Sequence, residues 1–362
     1  MNIKSSVRII HRMCSCVRFL LNLPKCKDTL NKHNCLEPGR YLIVKVSKRT
    51  YVFKSDTPVS FLKMIHYDKK NKWFQPKIIV KGLERKDLYA QVALGSSDGA
   101  FRYFNYKKGY SFRFFNSGVM AQTYRDAYRN FSTCFKTPII TISDTYFKEK
   151  LVNYIPRAEW NVDDVKNRFV IVIGDYINYI DNLKANSKSI VNNRDYNVSL
   201  IRTKSEDFEG LYYRLVELAE GISVSKLFFC HSDLHFGNTL FTEQEWYLID
   251  VENARFELFF YDFFNVIFVE YNDVHCSYLL DCYLKNESWL MDLLEKMFIA
   301  AGESFLSKYR MKYFYTFLLY RLLYYSDYAT KRFEKNQQCC QISRYIKRTQ
   351  RVLDYINSYV IS

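Results

Sequence analysis

The spacing of apolar residues indicates strands in the first part of the chain and helices in the second. Apolar or alternating runs that are typical of strands cover 41–46, 50–54, 77–80, 88–94, 101–106, 110–115, 139–142 and 146–154. Apolar residues at helical spacing cover 119–134, 162–184, 208–220 and much of the chain after residue 262. This order predicts an α+β protein with a β-rich part followed by a mainly helical part.

One polar segment interrupts the helical part. The apolar run 227–230 leads into Asp233 and Asn238, and two short strands at 239–241 and 246–249, joined by a polar turn, lead to Asp250. This pattern predicts a hairpin that brings the three side chains close together. Two carboxylates and an amide are oxygen ligands that suit Mg²⁺ shared with phosphate oxygens.

The amino-acid sequence of this segment resembles that of a known family. HSDLHFGN at 231–238, followed by LIDVE at 248–252, resembles the motifs of aminoglycoside-phosphotransferase-like and choline-kinase-like small-molecule kinases. The Asp-to-Asn spacing and the later Asp are also those of the protein-kinase catalytic loop and metal site. The resemblance implies a two-lobed protein-kinase-like fold with an extra N-terminal segment, and it implies ATP and Mg²⁺ as cofactors.

The resemblance also implies a role for each residue of the segment. Asp233 is expected to act on the acceptor hydroxyl, and Asn238 and Asp250 are expected to bind the metal. His231 is expected to brace the loop, and His235 either braces it or contacts the substrate. A further Asp begins the helix that follows, and Asp262 is expected to brace the loop from there.

The β-rich part offers weaker candidates for nucleotide binding. A polar loop follows the strand at 88–94, and its candidate phosphate-binding residues are Gly95, Ser96 and Gly99. The loop departs from the Gly-x-Gly-x-x-Gly pattern, so an ordinary hairpin turn is an equal alternative. The family places a basic residue on the third strand and an acid on the next helix, where this chain has Arg113 and Asp126. An exposed strand arginine is the alternative for Arg113.

These motifs suggest four segments. Residues 1–36 form a basic leader, 37–85 a small β-rich extension, 86–155 the kinase-like N-lobe and 156–362 the helical C-lobe with the hairpin. The leader has no acid before Asp28, and its apolar residues recur at helical spacing. Such a helix suits peripheral contact with an anionic membrane. A helix packed on its own domain or on a partner is an equal alternative, and a transit peptide is a weaker one.

Composition and net charge indicate which kinds of ligand and partner suit the protein. The net charge of +15 suits phosphate-rich ligands, nucleic acid or an anionic membrane surface. Nucleic acid is disfavoured because the chain has no RNA-recognition, zinc-finger or basic-zipper signature. The ten cysteines form no regular framework, which favours reduced thiols and a cytoplasmic location. No stretch has the ~20 uninterrupted apolar residues of a membrane-spanning helix.

These observations predict an ATP- and Mg²⁺-dependent phosphotransferase that acts on a hydroxyl of a small molecule or glycan. The acceptor could be an aminoglycoside, choline, a sugar or a lipid-linked glycan. The alternative is a catalytically idle kinase-like fold that serves as a binding module. The degenerate glycine loop and the missing lysine favour this alternative, whereas the intact Asp233, Asn238 and Asp250 favour the enzyme.

Overall fold

The structure is a computed structural model, and parts of the chain lie outside its described residues. The described residues are 39–46, 49–54, 77–80, 90–94, 101–105, 109–114, 118–143, 146–183, 188–189, 206–222, 226–332 and 335–361. They form two compact units. The first unit comprises the described residues up to 130 together with 137–156 and 242–245. The second comprises the described residues of 131–136, 157–241 and the chain from 246 on.

An antiparallel eight-stranded sheet forms most of the first unit. Its strands are β1 (Gly39–Val46), β2 (Arg49–Lys54), β3 (Lys77–Val80), β4 (Ala90–Leu94), β5 (Phe101–Asn105), β6 (Tyr110–Phe114), β7 (Ile139–Ile142) and β8 (Tyr146–Lys150). Their order across the sheet is β3-β1-β2-β4-β5-β6-β8-β7. Because β2 pairs directly with β4, the segment expected to be a separate extension shares one sheet with the expected N-lobe.

Helix α1 (Gly118–Phe131) begins soon after β6. Tyr124 and Tyr128 lie one turn apart on its buried face, and the edges of both rings meet Phe147 of β8 at centroid distances of 5.6 and 5.4 Å. Phe147 is fully buried. Edge-to-face contacts of this kind stabilise a core beyond the apolar area that they bury.

The second unit is mainly helical. Its helices are α2 (Val162–Leu183), α3 (Glu206–Leu218), α4 (Tyr261–Val269), α5 (Tyr278–Leu284), α6 (Ser288–Ala301), α7 (Arg310–Arg332) and α8 (Lys335–Ile361). Its strands are β9 (Lys188–Ser189), β10 (Lys226–Cys230), β11 (Thr239–Phe241), β12 (Trp246–Leu248) and β13 (Arg255–Leu258). The predicted α+β class, with a β-rich part before a mainly helical part, is therefore confirmed.

Helix α4 lies at the centre of the second unit, and every one of its residues is buried. Phe264 of this helix contacts the rings of Phe314 and Phe317 on α7 at 5.1 and 5.8 Å between centroids. Helix α2 packs against α6, and α7 packs against both α3 and α8. A helix that is apolar all round is buried in this way, so its few polar residues need partners inside the protein.

Two other expectations concern membrane-spanning helices and the redox state of the cysteines in the described chain. None of its helices combines the length and the apolar character needed to cross a bilayer. Four of its cysteines, Cys134, Cys230, Cys276 and Cys282, are free thiols. The basic leader at 1–36 lies outside the described residues, so the expected membrane contact stays a prediction.

Burial predicts how strongly two leucines contribute to stability. Leu294 of α6 is fully buried, whereas Leu306 is 45% exposed. We expect Leu294→Ala to lower the free energy of unfolding by about 2–5 kcal/mol, because it removes buried methyl groups and leaves a cavity. Leu306→Ala makes the same chemical change and should cost less than about 1 kcal/mol. Urea unfolding of the two variants checks this, and equal losses would contradict the helix packing described here.

Candidate active site

The polar segment of the second unit lies between two paired strands. Strand β10 ends at Cys230, which pairs with Arg255 at the start of β13. The chain between them forms a loop at 231–235, a short 3₁₀ turn at Phe236–Asn238, the β11–β12 hairpin and a second 3₁₀ turn at Val251–Asn253. The hairpin has the strands and the turn predicted from the sequence. Because β10 and β13 are neighbours, the two ends of this segment are held together.

Asp262 at the start of α4 fixes the loop at 231–235. Its carboxylate is fully buried and accepts hydrogen bonds from the backbone N–H groups of Ser232 at 3.1 Å and Leu234 at 3.3 Å. The Tyr176 hydroxyl of α2 donates a third bond at 2.6 Å. Ser232 has a left-handed backbone with φ of 65°. The two backbone bonds on either side of Asp233 therefore hold this residue in a defined position.

A second polar residue of α4 supports the same loop. Asn265 is fully buried, and its Nδ2 donates to the carbonyl oxygen of Leu234 at 3.0 Å. Its Oδ1 accepts from Nη1 of Arg321 on α7 at 2.7 Å. Leu234 is thus held through its N–H by Asp262 and through its carbonyl by Asn265.

Two bonds join His231 of the loop and Asn238 of the first 3₁₀ turn to Ile249, the residue before Asp250. The Nε2 atom of His231 lies 2.9 Å from the carbonyl oxygen of Ile249, and the N–H of Ile249 donates to the carbonyl of Asn238 at 3.1 Å. Asp250 follows with a left-handed backbone, φ 57° and ψ 47°. The structure therefore holds the residue before Asp250 against both His231 and Asn238. The shared metal-binding role of Asn238 and Asp250 stays a prediction.

Asp233 is half-buried, and its partners leave part of its carboxylate available. Its Oδ2 accepts from Nδ2 of Asn253 at 3.3 Å, and its backbone carbonyl accepts from Nδ2 of Asn238 at 2.9 Å. Within the described chain, its Oδ1 accepts no hydrogen bond. The carboxylate is therefore oriented at one oxygen and open at the other, which suits a group that accepts a proton from a substrate.

His235 is held as a neutral imidazole. Its Nδ1 accepts a hydrogen bond from the N–H of Gly237 at 3.0 Å, and only an unprotonated nitrogen can accept. Burial lowers the pKa of His235, while the carboxylates of Asp233 and Asp250 act in the opposite direction. The contact with Gly237 ties the ring to the backbone of its own loop. Bracing of the loop and contact with the substrate both stay predictions for His235.

The candidate nucleotide-binding residues lie in the first unit. Arg113 of β6 is buried, and its Cζ lies 4.5 Å from the ring centre of Tyr124. Asp126 lies on the exposed side of α1 and contacts Gln122 and Arg129 instead. The expected pair between Arg113 and Asp126 is thus not formed, because the buried face of α1 presents Tyr124 to the sheet. Gly95, Ser96 and Gly99 lie outside the described residues.

The oxygen atoms near Asp250 fit a hard cation. The amide nitrogen of Asn238 is used by the loop, which leaves its Oδ1 for a metal. Asp250 adds a carboxylate next to Ile249, which is bonded to the same Asn238. The described chain contains no cluster of three acidic, histidine or cysteine ligands. Two protein oxygens fit Mg²⁺ bound to a nucleotide, since Mg²⁺ takes few protein ligands and completes its shell with phosphates and water.

Several residues of this site were missed from the sequence. The loop is contacted directly by Asn253 and Asn265, and through Asn265 by Arg321. A signal was present for two of them: Asn265 lies three residues after Asp262 in an otherwise apolar helix, and Arg321 interrupts an apolar run of α7. A polar residue inside a buried helix needs an internal partner, so both positions indicated a polar contact.

Comparison with solved structures finds kinases at low sequence identity. An aminoglycoside phosphotransferase APH(4)-Ia, in a ternary complex with ADP and hygromycin B, is 14% identical over 74% of this chain and 94% of its own, with a TM-score of 0.47. A choline/ethanolamine kinase family protein from Mesorhizobium loti is 11% identical over 74% and 92%, with a TM-score of 0.44. An amicoumacin kinase, hAmiN, in complex with AMP-PNP, Ca²⁺ and Ami is 14% identical over 75% of this chain and 87% of its own, with a TM-score of 0.42.

These structures are of the same classes that the sequence motifs resemble, namely small-molecule kinases. No protein-family model matches the chain, and neither does the sequence of any curated protein.

The contact between Gly237 and His235 can be tested by adding one methyl group. A Cβ at Gly237 would lie 2.7 Å from Cε1 and 2.9 Å from Nδ1 of His235, so Gly237→Ala should turn the ring away. We expect the pKa of His235 to rise towards its ordinary value in an NMR titration. Gly210→Ala is the control, because its Cβ meets nothing within 4 Å. This helical change should raise stability by about 0.5–1 kcal/mol. An unchanged pKa in Gly237→Ala would contradict the contact.

The lowered pKa of His235 predicts a pH dependence of stability. Because the folded protein binds this proton less readily than the unfolded chain, the free energy of unfolding should fall as the pH drops below about 6.5. The loss should stop once the pH is below the pKa of the folded state. His235→Asn should remove this part of the dependence.

The matched control for this experiment is His275→Asn. His275 is exposed and has a left-handed backbone, φ 60°, which Asn tolerates. Urea unfolding between pH 5 and 8 compares the three proteins. If His275→Asn and His235→Asn change the pH dependence equally, the lowered pKa is not located at His235.

Proposed function

We propose that the protein transfers the γ-phosphoryl group of ATP to a hydroxyl of a small molecule or glycan. The observation that supports this most directly is the position of Asp233. Its carboxylate is held at one oxygen by Asn253 and open at the other, on a loop fixed by Asp262 and joined to the strand before Asp250. Phosphoryl transfer needs this kind of positioned acceptor for the hydroxyl proton, because the protein does little covalent chemistry itself.

Each residue then has a definite task. Asp233 orients the acceptor hydroxyl and takes its proton as the phosphoryl group is transferred. Asn238 Oδ1 and the Asp250 carboxylate would hold Mg²⁺, which neutralises charge on the phosphates when it is bound. His231 and His235 keep the loop in shape through Ile249 and Gly237. Arg113, with Gly95, Ser96 and Gly99, is proposed to contact the nucleotide phosphates.

The cellular setting follows from the donor. A kinase that uses ATP works where ATP is abundant, and the four free thiols at Cys134, Cys230, Cys276 and Cys282 fit a reducing compartment. We therefore propose a cytoplasmic location. Peripheral contact with an anionic membrane through the leader at 1–36 is a separate proposal, supported by its basic and apolar pattern.

One observation favours the second candidate, a kinase-like binding module without turnover. Arg113 replaces the lysine of the family pattern, and Asp126 does not pair with it. Such a protein would bind nucleotide or acceptor and transfer nothing. The two candidates differ in whether Asp233 is needed for phosphoryl transfer, so the following experiment separates them.

Replacing each carboxylate by its amide separates the two roles. Asp233→Asn should still bind Mg-ATP but lose turnover by roughly 10²-fold or more, because the base is gone. Asp250→Asn should also lose the Mg²⁺-dependent part of nucleotide binding, because the metal loses an anionic ligand. Nucleotide titration with and without Mg²⁺ and ATP consumption in a panel of hydroxyl acceptors measure the two effects.

Asp292→Asn is the matched control, since Asp292 is exposed on α6. It should leave both nucleotide binding and turnover unchanged. Loss of metal-dependent binding in Asp233→Asn alone would reverse the two assignments. Mg-ATP binding by the wild-type protein without consumption of ATP in any acceptor assay would favour the binding module.

A further inference from the structure

Trp160 packs against the 3₁₀ turn that carries Asn238. Its indole meets the ring of Phe236, the first residue of that turn, edge to face at 5.0 Å between ring centres. The same indole meets Phe241 of β11 edge to face at 5.4 Å. No other aromatic ring of the described chain contacts Phe236. All three rings are buried, so Trp160 provides the apolar surface on which the turn rests.

The turn depends on Phe236 for its apolar contacts. Of its three residues, Gly237 has no side chain and Asn238 is polar, so Phe236 alone can pack against a ring. The carbonyl of Phe236 accepts hydrogen bonds from the N–H of Thr239 and, at 3.0 Å, from its hydroxyl, which closes the turn. A turn closed in this way moves as one piece, so a shift of the Phe236 ring also moves the Oδ1 atom of Asn238.

Trp160 lies outside the helices and strands, and its side-chain contacts hold it. It follows the 3₁₀ turn Arg157–Glu159 and comes just before α2. The Cζ of Arg168 on α2 lies 4.0 Å from its ring centre, and the Cζ of Arg157 lies 5.3 Å from it. A guanidinium group near an indole is attracted by the π electrons of the ring. The two arginines therefore help to fix the orientation of Trp160.

A buried carboxylate holds Arg157 in turn. Glu270 follows directly after α4, and its side chain is 1% exposed. Its Oε2 accepts hydrogen bonds from Nε of Arg157 at 3.0 Å and from Nη2 at 2.5 Å. A buried carboxylate without a partner is strongly destabilising, so this pair keeps Arg157 in place. A continuous series of contacts thus leads from the end of α4 through Trp160 to the turn of Asn238.

We propose that Trp160 is a positioning residue for the metal site. It holds the turn Phe236–Asn238 where Asn238 Oδ1 and the Asp250 carboxylate can bind the same Mg²⁺, and it acts through Phe236. Loss of a group that orients a metal ligand commonly lowers metal affinity by about 10- to 100-fold. The inference rests on the proposed phosphotransferase function and adds a residue to its metal site.

The effect of Mg²⁺ on ATP binding measures this role without any turnover. Calorimetry on the full chain gives the dissociation constant of ATP in saturating Mg²⁺ and in EDTA, and their ratio is the gain that the metal provides. We expect Trp160→Leu to reduce this gain about tenfold or more and to leave ATP binding in EDTA unchanged. Trp160→Phe keeps an aromatic ring against Phe236 and should retain part of the gain. It also serves as the test if the Leu variant does not fold.

Trp289→Leu is the matched control. The indole of Trp289 on α6 makes the same two kinds of contact, edge to face with Phe169 at 6.0 Å and with Nζ of Lys166 at 5.3 Å from the ring centre. This variant should also lower the free energy of unfolding in urea, but it should keep the full gain from Mg²⁺. Equal gains in Trp160→Leu and Trp289→Leu would mean that Trp160 only stabilises the fold, and the inference would be wrong.

A double-mutant cycle tests the route through Phe236. Phe236→Leu alone should reduce the gain from Mg²⁺. Adding Trp160→Leu to it should reduce the gain little further, because changes at residues that act through one contact are not additive. If the two effects multiply instead, Trp160 does not act through Phe236 and the inference is overturned.

The wild-type protein separates this inference from the proposed function. If Mg²⁺ strengthens ATP binding to the wild type and the Trp160 variants keep the full gain, the phosphotransferase function stands and the role of Trp160 is wrong. If the wild type binds no ATP, or binds it equally with and without Mg²⁺, the proposed function itself fails.

Discussion

The buried carboxylate of Asp262 is the group on which the loop that carries Asp233 depends. Its desolvation is costly unless its oxygens accept hydrogen bonds, and here two backbone N–H groups and a tyrosine hydroxyl donate three. The same bonds satisfy amide groups of Ser232 and Leu234 that a buried loop would otherwise leave unpaired. The same hydrogen bonds thus stabilise the core and fix the shape of the loop. If either the Asp262 carboxylate or the loop backbone moved, the other would be left buried without hydrogen bonds.

Helix α4 explains how this arrangement is possible. It is buried on all sides, and its two polar residues, Asp262 and Asn265, are three positions apart and so lie on the same face. The aromatic residues of the helix pack against α7 and hold that face in place. Asn265 then extends the network to Arg321, so the loop is connected through α4 to the helix behind it.

Local patterns predicted much of this structure. The strands of the first unit and the β11–β12 hairpin follow from alternation and turn residues, which are properties of neighbouring positions. The sequence predicted a pair between Arg113 and Asp126 that the structure does not form. The side of α1 that faces the sheet depends on how Tyr124 and Tyr128 pack, which neighbouring positions do not determine. Asn253 was missed because its importance arises from β13 pairing with β10, a contact between distant parts of the chain.

The left-handed backbone at Asp250 has a consequence for the evolution of the protein in the laboratory. In this conformation a residue with a Cβ is less stable than glycine by about 1 kcal/mol. Selection for thermal tolerance alone would therefore be expected to favour glycine at this position and to discard the carboxylate. A library of variants screened only for stability would therefore lose the Asp250 carboxylate and the metal-binding role proposed for it. Stabilised variants of this chain must be selected for activity as well as for stability.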